Sequence, residues 1–454
     1  MRDLVFTALM LVVLPVCLRR PLIGLLTFSW LAYMRPQDLT WSFARAQRWS
    51  FLVAAVMLAG WLLSRERRPL VWNARTWAMV ALVAVVGISL VFSVPTRMSV
   101  THRYVEFAKI IGIALFTTAL VHKPEHLRML VWVVALSFAF YGVKNGLAGI
   151  LSGGSPILQG PGGMLEDNND FALALTMGLP MLVQIGASER NRVLRRGVYA
   201  TVPLTVLTVI LTHSRGGFLA LSAMVLLLVW RSRNRAAAFA VLGVAALFAL
   251  LFTPSSYVER IATIAQFKSD GSAMGRLAAW RTAINMALDH PLLGVGLAKF
   301  QAAYTDYASG LVYDSTRVTH NAYLQIWAEC GSIALLLYLF LIASTFASLL
   351  RIRSQARRLY SSSWILNYTA MFEAAMLAFV IGSAFLNRAH FDLFYHLVAV
   401  VICFEVIAVA EMRGLRQREG EVPRGSSFRV VAPGGFRRAP ARPGFRDASA
   451  ESPA

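Results

Sequence analysis

Apolar runs recur along almost the whole chain, and most are ended by a short cluster of arginines or lysines. That repetition limits the possible folds more than any other feature. A bilayer offers no water to backbone N–H and C=O groups. An apolar run of about 20 residues therefore crosses as a helix, and shorter runs cross where their flanks reach the interface. The runs are 4–17, 21–34, 50–63, 77–92, 104–121, 127–150, 171–185, 198–211, 216–230, 237–252, 324–350, 364–386 and 391–409. The first two are short enough to form a tilted or re-entrant pair. The expected fold is all-α: a polytopic integral membrane protein with twelve or thirteen transmembrane helices. A charged fraction of 15% against 57% hydrophobic residues excludes an ordinary soluble domain, where about 25% are charged.

The basic residues set the expected orientation. From the third run onward they fall on alternate connections: Arg65/Arg67/Arg68/Arg75, Lys123/Arg128, Arg190/Arg192/Arg195/Arg196, Arg231/Arg233/Arg235 and Arg351/Arg353/Arg357/Arg358, then Arg413, Arg416 and Arg418. This side is expected to be cytoplasmic. The loops 93–103, 151–170, 212–216, 253–323 and 387–390 then lie outside. The net charge of +21 is thus spent on membrane anchoring, with no nucleic-acid-binding face. Beyond residue 410 the chain is rich in Pro, Gly, Arg and Ser. It is expected to be a disordered basic tail whose arginines hover near anionic lipid headgroups.

Cys17, Cys330 and Cys403 are scattered, with neither a disulfide framework nor metal-ligand spacing. No Asp-x-Asp sugar-nucleotide motif, zinc spacing or phosphate-cradling glycine loop occurs, and no cleavable signal peptide is expected. Chemistry is therefore sought on the outer loops. Arg215 stands where one run ends and the next begins, between Ser214 and Gly216-Gly217, which let another group approach the backbone. It either snorkels to the interface or binds an anion, for which its planar guanidinium is suited. Arg260, Arg276 and Arg281 lie in loop 253–323, where a solvated polar face is the alternative to anion binding. Residues 272–288 read as an amphipathic helix with Met274, Leu277, Ala278, Ile284 and Leu288 on or near one face and Arg276 on another. Pro291 ends it, and Gly294 and Gly296 supply a turn.

His320 comes just before the run opening at Leu324, where Asn321 can cap the helix. A histidine there is either structural or a proton acceptor or donor near neutrality, and Tyr323 and Gln325 stand beside it. Glu166-Asp167-Asn168-Asn169-Asp170 caps a run by default. Asp167, Asn168 and Asp170, with Tyr323 and His390, are also candidates to contact a sugar or an acceptor.

Four segments, Ser214-Arg215-Gly216-Gly217, Gly275-Arg276-Leu277-Ala278-Ala279-Trp280, Asp289-His290-Pro291-Leu292-Leu293-Gly294-Val295-Gly296 and His320-Asn321-Ala322-Tyr323-Leu324-Gln325, together resemble the O-antigen ligase and polymerase superfamily of bacterial envelope glycan enzymes. Met1-Arg2-Asp3-Leu4, Tyr33-Met34-Arg35-Pro36 and the 166–170 segment resemble its O-glycosylation ligase branch associated with exosortase systems. The resemblance implies glycan transfer from undecaprenyl diphosphate to lipid A–core, a protein hydroxyl or another glycan, at the periplasmic face of the inner membrane, without metal or cofactor. By position, Arg215 and His320 take the family's catalytic places. Arg276, Arg260 and Arg281 join Arg215 in holding the diphosphate. The organisation implied is N-terminal transmembrane helices over 1–252, a large, partly helical periplasmic loop carrying the chemistry over 253–323, C-terminal transmembrane helices over 324–410 and the cytoplasmic tail over 411–454. A glycan polymerase and a flippase of lipid-linked sugars are the alternatives.

Overall fold

The computed structural model describes residues 1–65, 67–94, 100–231, 243, 271–308, 317–360 and 363–421. Among the described residues the protein is all-helical, without a β-strand. Ten helices are described before the polar loop: α1 (Arg2–Arg19), α2 (Pro21–Tyr33), α3 (Phe43–Ala46), α4 (Trp49–Leu63), α5 (Ala74–Val91), α6 (Thr101–Leu120), α7 (Pro124–Leu151), α8 (Asn168–Ser188), α9 (Arg192–Leu211) and α10 (Arg215–Arg231). Then come α11 (Gly271–Asp289), α12 (Phe300–Tyr307), α13 (Ala322–Leu359), α14 (Trp364–Ser383) and α15 (Asp392–Glu421). Every expected apolar run falls on one of these helices except 237–252, which lies outside the described residues.

Among the described residues seven helices are long and apolar enough to cross a membrane: α5, α7, α8, α9, α13, α14 and α15 over Asp392–Leu415. The protein is an integral membrane protein on that basis. α2 and α4 are apolar but shorter. The 13 residues of α2 rise about 20 Å, short of a hydrocarbon core of about 30 Å. α15 runs on to Glu421, past the expected boundary at 410, because Met412 is buried and Trp364 donates an indole hydrogen bond to Glu411 (3.0 Å).

α8 is apolar on every side (Phe-Ala-Leu-Ala-Leu from 171), so no face of it suits solvent, and Phe171–Leu175 are fully buried at the centre of the bundle. α7 meets α9 along Gly142, Gly146 and Gly149, where an added Cβ would lie 2.1–2.6 Å from Thr205, Leu204 and Leu211. Small residues let helix backbones approach closely where apolar burial alone does not hold them. At one end of the bundle Glu405 meets Arg75 and Arg351, and Glu373 meets Arg231 and Arg353. Three of the basic connections therefore share that end.

α13 is broken at Gly331 (φ +81°), and the strap that follows α11 fills the break. Val295 and Gly296 donate to the carbonyls of Ala328 and Glu329 (2.9 and 2.8 Å), and Ser332 donates to Pro291 (2.8 Å). The backbone groups freed by the kink are thus satisfied. Gly294 makes the strap possible, since it adopts φ +69° and a Cβ there would lie 2.5 Å from the Glu329 backbone. The strap carries the polar loop back onto the helices at the end opposite the glutamate clusters.

Candidate active site

At that opposite end three helix N-termini converge, those of α8, α10 and α13. Each is capped as its sequence dictates. Asp167 accepts from the Asn169 amide (2.8 Å), Ser214 Oγ accepts from Gly217 (3.0 Å), and Asn321 Oδ1 accepts from Tyr323 and Leu324 (both 3.0 Å). Their dipoles place positive potential where the loops meet.

Arg215 is the first residue of α10 and is half-buried. Its two following glycines do what the sequence suggested: a Cβ on Gly216 would lie 2.9 Å from Phe385, and one on Gly217 would lie 2.6 Å from Ala172. The start of α10 is thereby pressed between α8 and the end of α14. Asn168 Nδ2 donates to the Thr212 carbonyl (2.8 Å), tying the acidic cluster to the same turn, and His213 there adopts φ +54°. On the other side of the α14 terminus, Tyr323 donates to Val380 (2.9 Å) and accepts from Ser383 Oγ (3.1 Å). Gln325 accepts from the Ala389 amide (3.1 Å). Arg215 and the start of α13 therefore flank one stretch of chain, 380–389.

His320 sits immediately before α13 with φ +47°, a left-handed conformation that the surrounding contacts must hold. It is partly buried, and its pKa is lowered to about 4, first by burial, then by Arg276, with Arg317 acting in the same sense and Asp167 opposing. The imidazole is thus neutral at physiological pH. Arg276 lies on α11, one turn from Trp280, whose indole donates to the Thr319 carbonyl (2.9 Å) and pins α11 beside His320. The Arg317 guanidinium crosses α11 over Gly275, where a Cβ would lie 1.4 Å from one of its nitrogens. Arg276 and Arg317 are therefore neighbours, and both act on the same histidine.

The remaining candidates are placed as follows. Asp167 contributes to the field at His320, and Asp170 forms an ion pair with Arg388. His390 is edge-on to Phe107 (4.7 Å), and its pKa is held down to about 4 by burial and by Arg388. The Tyr323 hydroxyl is engaged with α14. Arg281 is exposed on the outward side of α11, away from the face that packs inward. Arg260 lies outside the described residues. Two participants were missed from the sequence: Arg317, three residues before His320, and the Trp280–Thr319 contact. The available signal was Gly275, whose missing side chain leaves the path for Arg317.

An all-helical membrane protein with an arginine-rich site at one end, beside a neutral histidine and helix N-termini, is suited to an anionic substrate delivered at the membrane. Residues 200–339 match the O-antigen ligase family, bearing out the resemblance to that superfamily over the segment that contains Arg215, Arg276, Arg317 and His320. Residues 1–161 match a family of unknown function (DUF5935). A search of the curated proteins finds no match. The O-antigen ligase family points to ligase- or polymerase-type glycan transfer.

Proposed function

We propose that this protein transfers a glycan from undecaprenyl diphosphate to a hydroxyl of lipid A–core or of a protein, at the periplasmic face of the bacterial inner membrane and with inversion at the anomeric carbon. Within the superfamily, the exosortase-associated O-glycosylation branch is the reading we favour. The observation that carries the proposal is His320 held neutral between burial and two arginines, Arg276 and Arg317, beside the capped start of α13.

In this mechanism the acceptor oxygen attacks the anomeric carbon and the bond to the diphosphate oxygen breaks. The negative charge gathering on the diphosphate is met by Arg215, Arg276, Arg317 and, from the segment outside the described residues, Arg260. Preorganised donors of this kind contribute a few kcal/mol each, and guanidinium groups supply the charge that a divalent ion supplies elsewhere. His320 takes the acceptor's proton. With a pKa near 4 it is a weak base in the free protein. A bound diphosphate cancels the arginine part of that depression and raises the pKa, so the base strengthens when the donor is in place.

The test is transfer by purified protein from undecaprenyl-diphosphate-linked glycan in EDTA, with lipid A–core and protein acceptors offered in parallel. Product on one acceptor, absent with Arg215→Ala, supports the proposal. Donor consumed only into longer chains means a polymerase. Untouched donor with every acceptor overturns the enzyme reading. The polar groups of the candidate site lie together at one end of the bundle, which disfavours a transporter.

A further inference from the structure

α11 carries Arg276 into the site, yet four of its large apolar side chains point away from the protein. Met274, Leu277, Ile284 and Leu288 are exposed by 39%, 43%, 38% and 63%. The face packed inward is made of Ala279, Thr282, Ala283, Met286 and Ala287. At 100° per residue the exposed set forms one stripe along α11 that includes the exposed Arg281, while Arg276 falls on the opposite side, beside the inward-packed residues Ala283 and Ala287. The stripe continues beyond the helix through Leu292, which is 64% exposed.

What lies next to Leu292 fixes the depth of that stripe. Its carbonyl would lie 2.1 Å from a Cβ on Gly331, and Ser332 donates to Pro291 (2.8 Å). From Ser332 to Leu350 α13 is an apolar run ended by Arg351. That run rises about 28 Å, close to the thickness of a hydrocarbon core. Gly331 therefore marks one border of the membrane-spanning part of α13, and Leu292 sits on that border. Ile333 and Leu336 of α13, exposed by 42% and 66%, continue the apolar surface downward from it. The end of α5 is at the same level, since Ser89 donates to the Leu293 carbonyl (2.6 Å) and Val91 and Phe92 are exposed by 78% and 72%.

We infer that α11 is an interfacial helix: its Met274–Leu277–Ile284–Leu288 stripe lies in the lipid of the leaflet at the site's end of the bundle, with Arg281 reaching the headgroup phosphates. A single charged side chain within an apolar stripe suits this position, because its long stem packs among the apolar residues while the guanidinium reaches polar headgroups. The same surface exposed to water would be a contiguous apolar patch that no described residue covers. The consequence is geometric. Seating α11 in the interface holds Arg276, on its protein-facing side, at the level where a lipid's phosphates lie. Arg281, read from sequence as a ligand of the substrate diphosphate, is assigned instead to bulk-lipid phosphates.

The experiment is nitroxide labelling of Leu277→Cys, Ile284→Cys and Leu288→Cys, one at a time, in full-length protein in phosphatidylethanolamine/phosphatidylglycerol vesicles. The native cysteines are all buried. Thr305→Cys on α12, an exposed polar position, is the aqueous control. Collision with dissolved oxygen exceeding collision with a water-soluble nickel chelate at all three α11 sites, and the reverse at residue 305, is the expected result. Nickel access at the α11 sites equal to that at 305 overturns the inference. So does exclusion of both reagents with dipolar coupling between labels, which would mean that a second copy covers the stripe. The readout uses no substrate, so a failure of glycan transfer leaves it intact.

Discussion

The two ends of the bundle handle arginine in opposite ways. At one end Arg75 and Arg351 meet Glu405, and Arg231 and Arg353 meet Glu373, a carboxylate that is 2% exposed. Each glutamate joins its own helix to two others, α15 to α5 and α13, and α14 to α10 and α13, so these clusters fix which helices adjoin. At the other end Arg276 and Arg317 converge on a histidine, next to three helix N-termini, and the carboxylate in their field, Asp167, is exposed and serves as a cap. Glutamates hold the arginines of the first end, whereas at the second Arg388 is paired with buried Asp170 while Arg276 and Arg317 gather on the histidine. On the proposed function, holding the helices together and attracting an anionic donor are tasks of opposite ends of the molecule.

The largest expected effects would break the functional side of this contrast. Arg215→Ala and His320→Ala should each lower the turnover of glycan transfer by at least about a hundredfold, the scale of a lost charge-stabilising donor or proton acceptor. Thermal midpoints in detergent should stay near that of the native protein. Native turnover in either variant would remove the assigned role. Glu373→Ala should behave in the opposite way. It leaves Arg231 and Arg353 without their shared carboxylate in a buried setting, and should cost about 3–5 kcal/mol of stability. That loss is read as a lower thermal midpoint, with activity per folded molecule little changed.

A pair of glycine variants sharpens the contrast at smaller scale. Gly294→Ala meets backbone at 2.5 Å and a φ of +69°, so neither neighbour can yield and the strap should lose about 1–3 kcal/mol. Gly275→Ala meets only the far end of Arg317, which can swing aside. Its midpoint should hardly move while the KM for the lipid-linked donor rises several-fold. Equal midpoint losses in the two variants would show that Arg317 is a packing residue.

The smallest effect is in the pH dependence. The folded pKa of His320, about 4, is below its ordinary value near 6.5. Between those values the unfolded chain binds the extra proton. The stability His320 contributes is therefore complete above about 6.5, declines as pH falls toward 4, and is gone below it. Activity that needs neutral His320 should fall in acid, with the limb for kcat/KM near 4. The limb for kcat should lie higher, because bound diphosphate offsets Arg276 and Arg317. Coincident limbs would mean that donor binding does not tune the histidine.

Much of this was legible in the sequence because it is local. Asn321 and Asp167 cap helices for reasons carried within three residues. The Gly-Gly after Arg215 announces a close approach, and the run 272–288 shows its helical period. Arg317 was not legible, since its neighbourhood depends on α11 lying across residues 317–320, a contact made through Trp280. The direction of the α11 stripe was not legible either. Periodicity shows that Met274, Leu277, Ile284 and Leu288 share a face, but burial of the small-residue face depends on what α11 packs against. Tyr323 looked free for substrate and is instead engaged by Val380 and Ser383, residues nearly sixty positions away.

By itself the sequence determined the membrane-spanning, all-helical architecture and the capped helix starts at which the site is proposed, because hydropathy, capping and charge act over one or two helical turns. Tertiary structure alone decided which arginines meet the histidine, which carboxylates hold the helices and which side of α11 faces outward. Each of those depends on side chains brought together across long stretches of chain, where packing rather than local preference selects the partner.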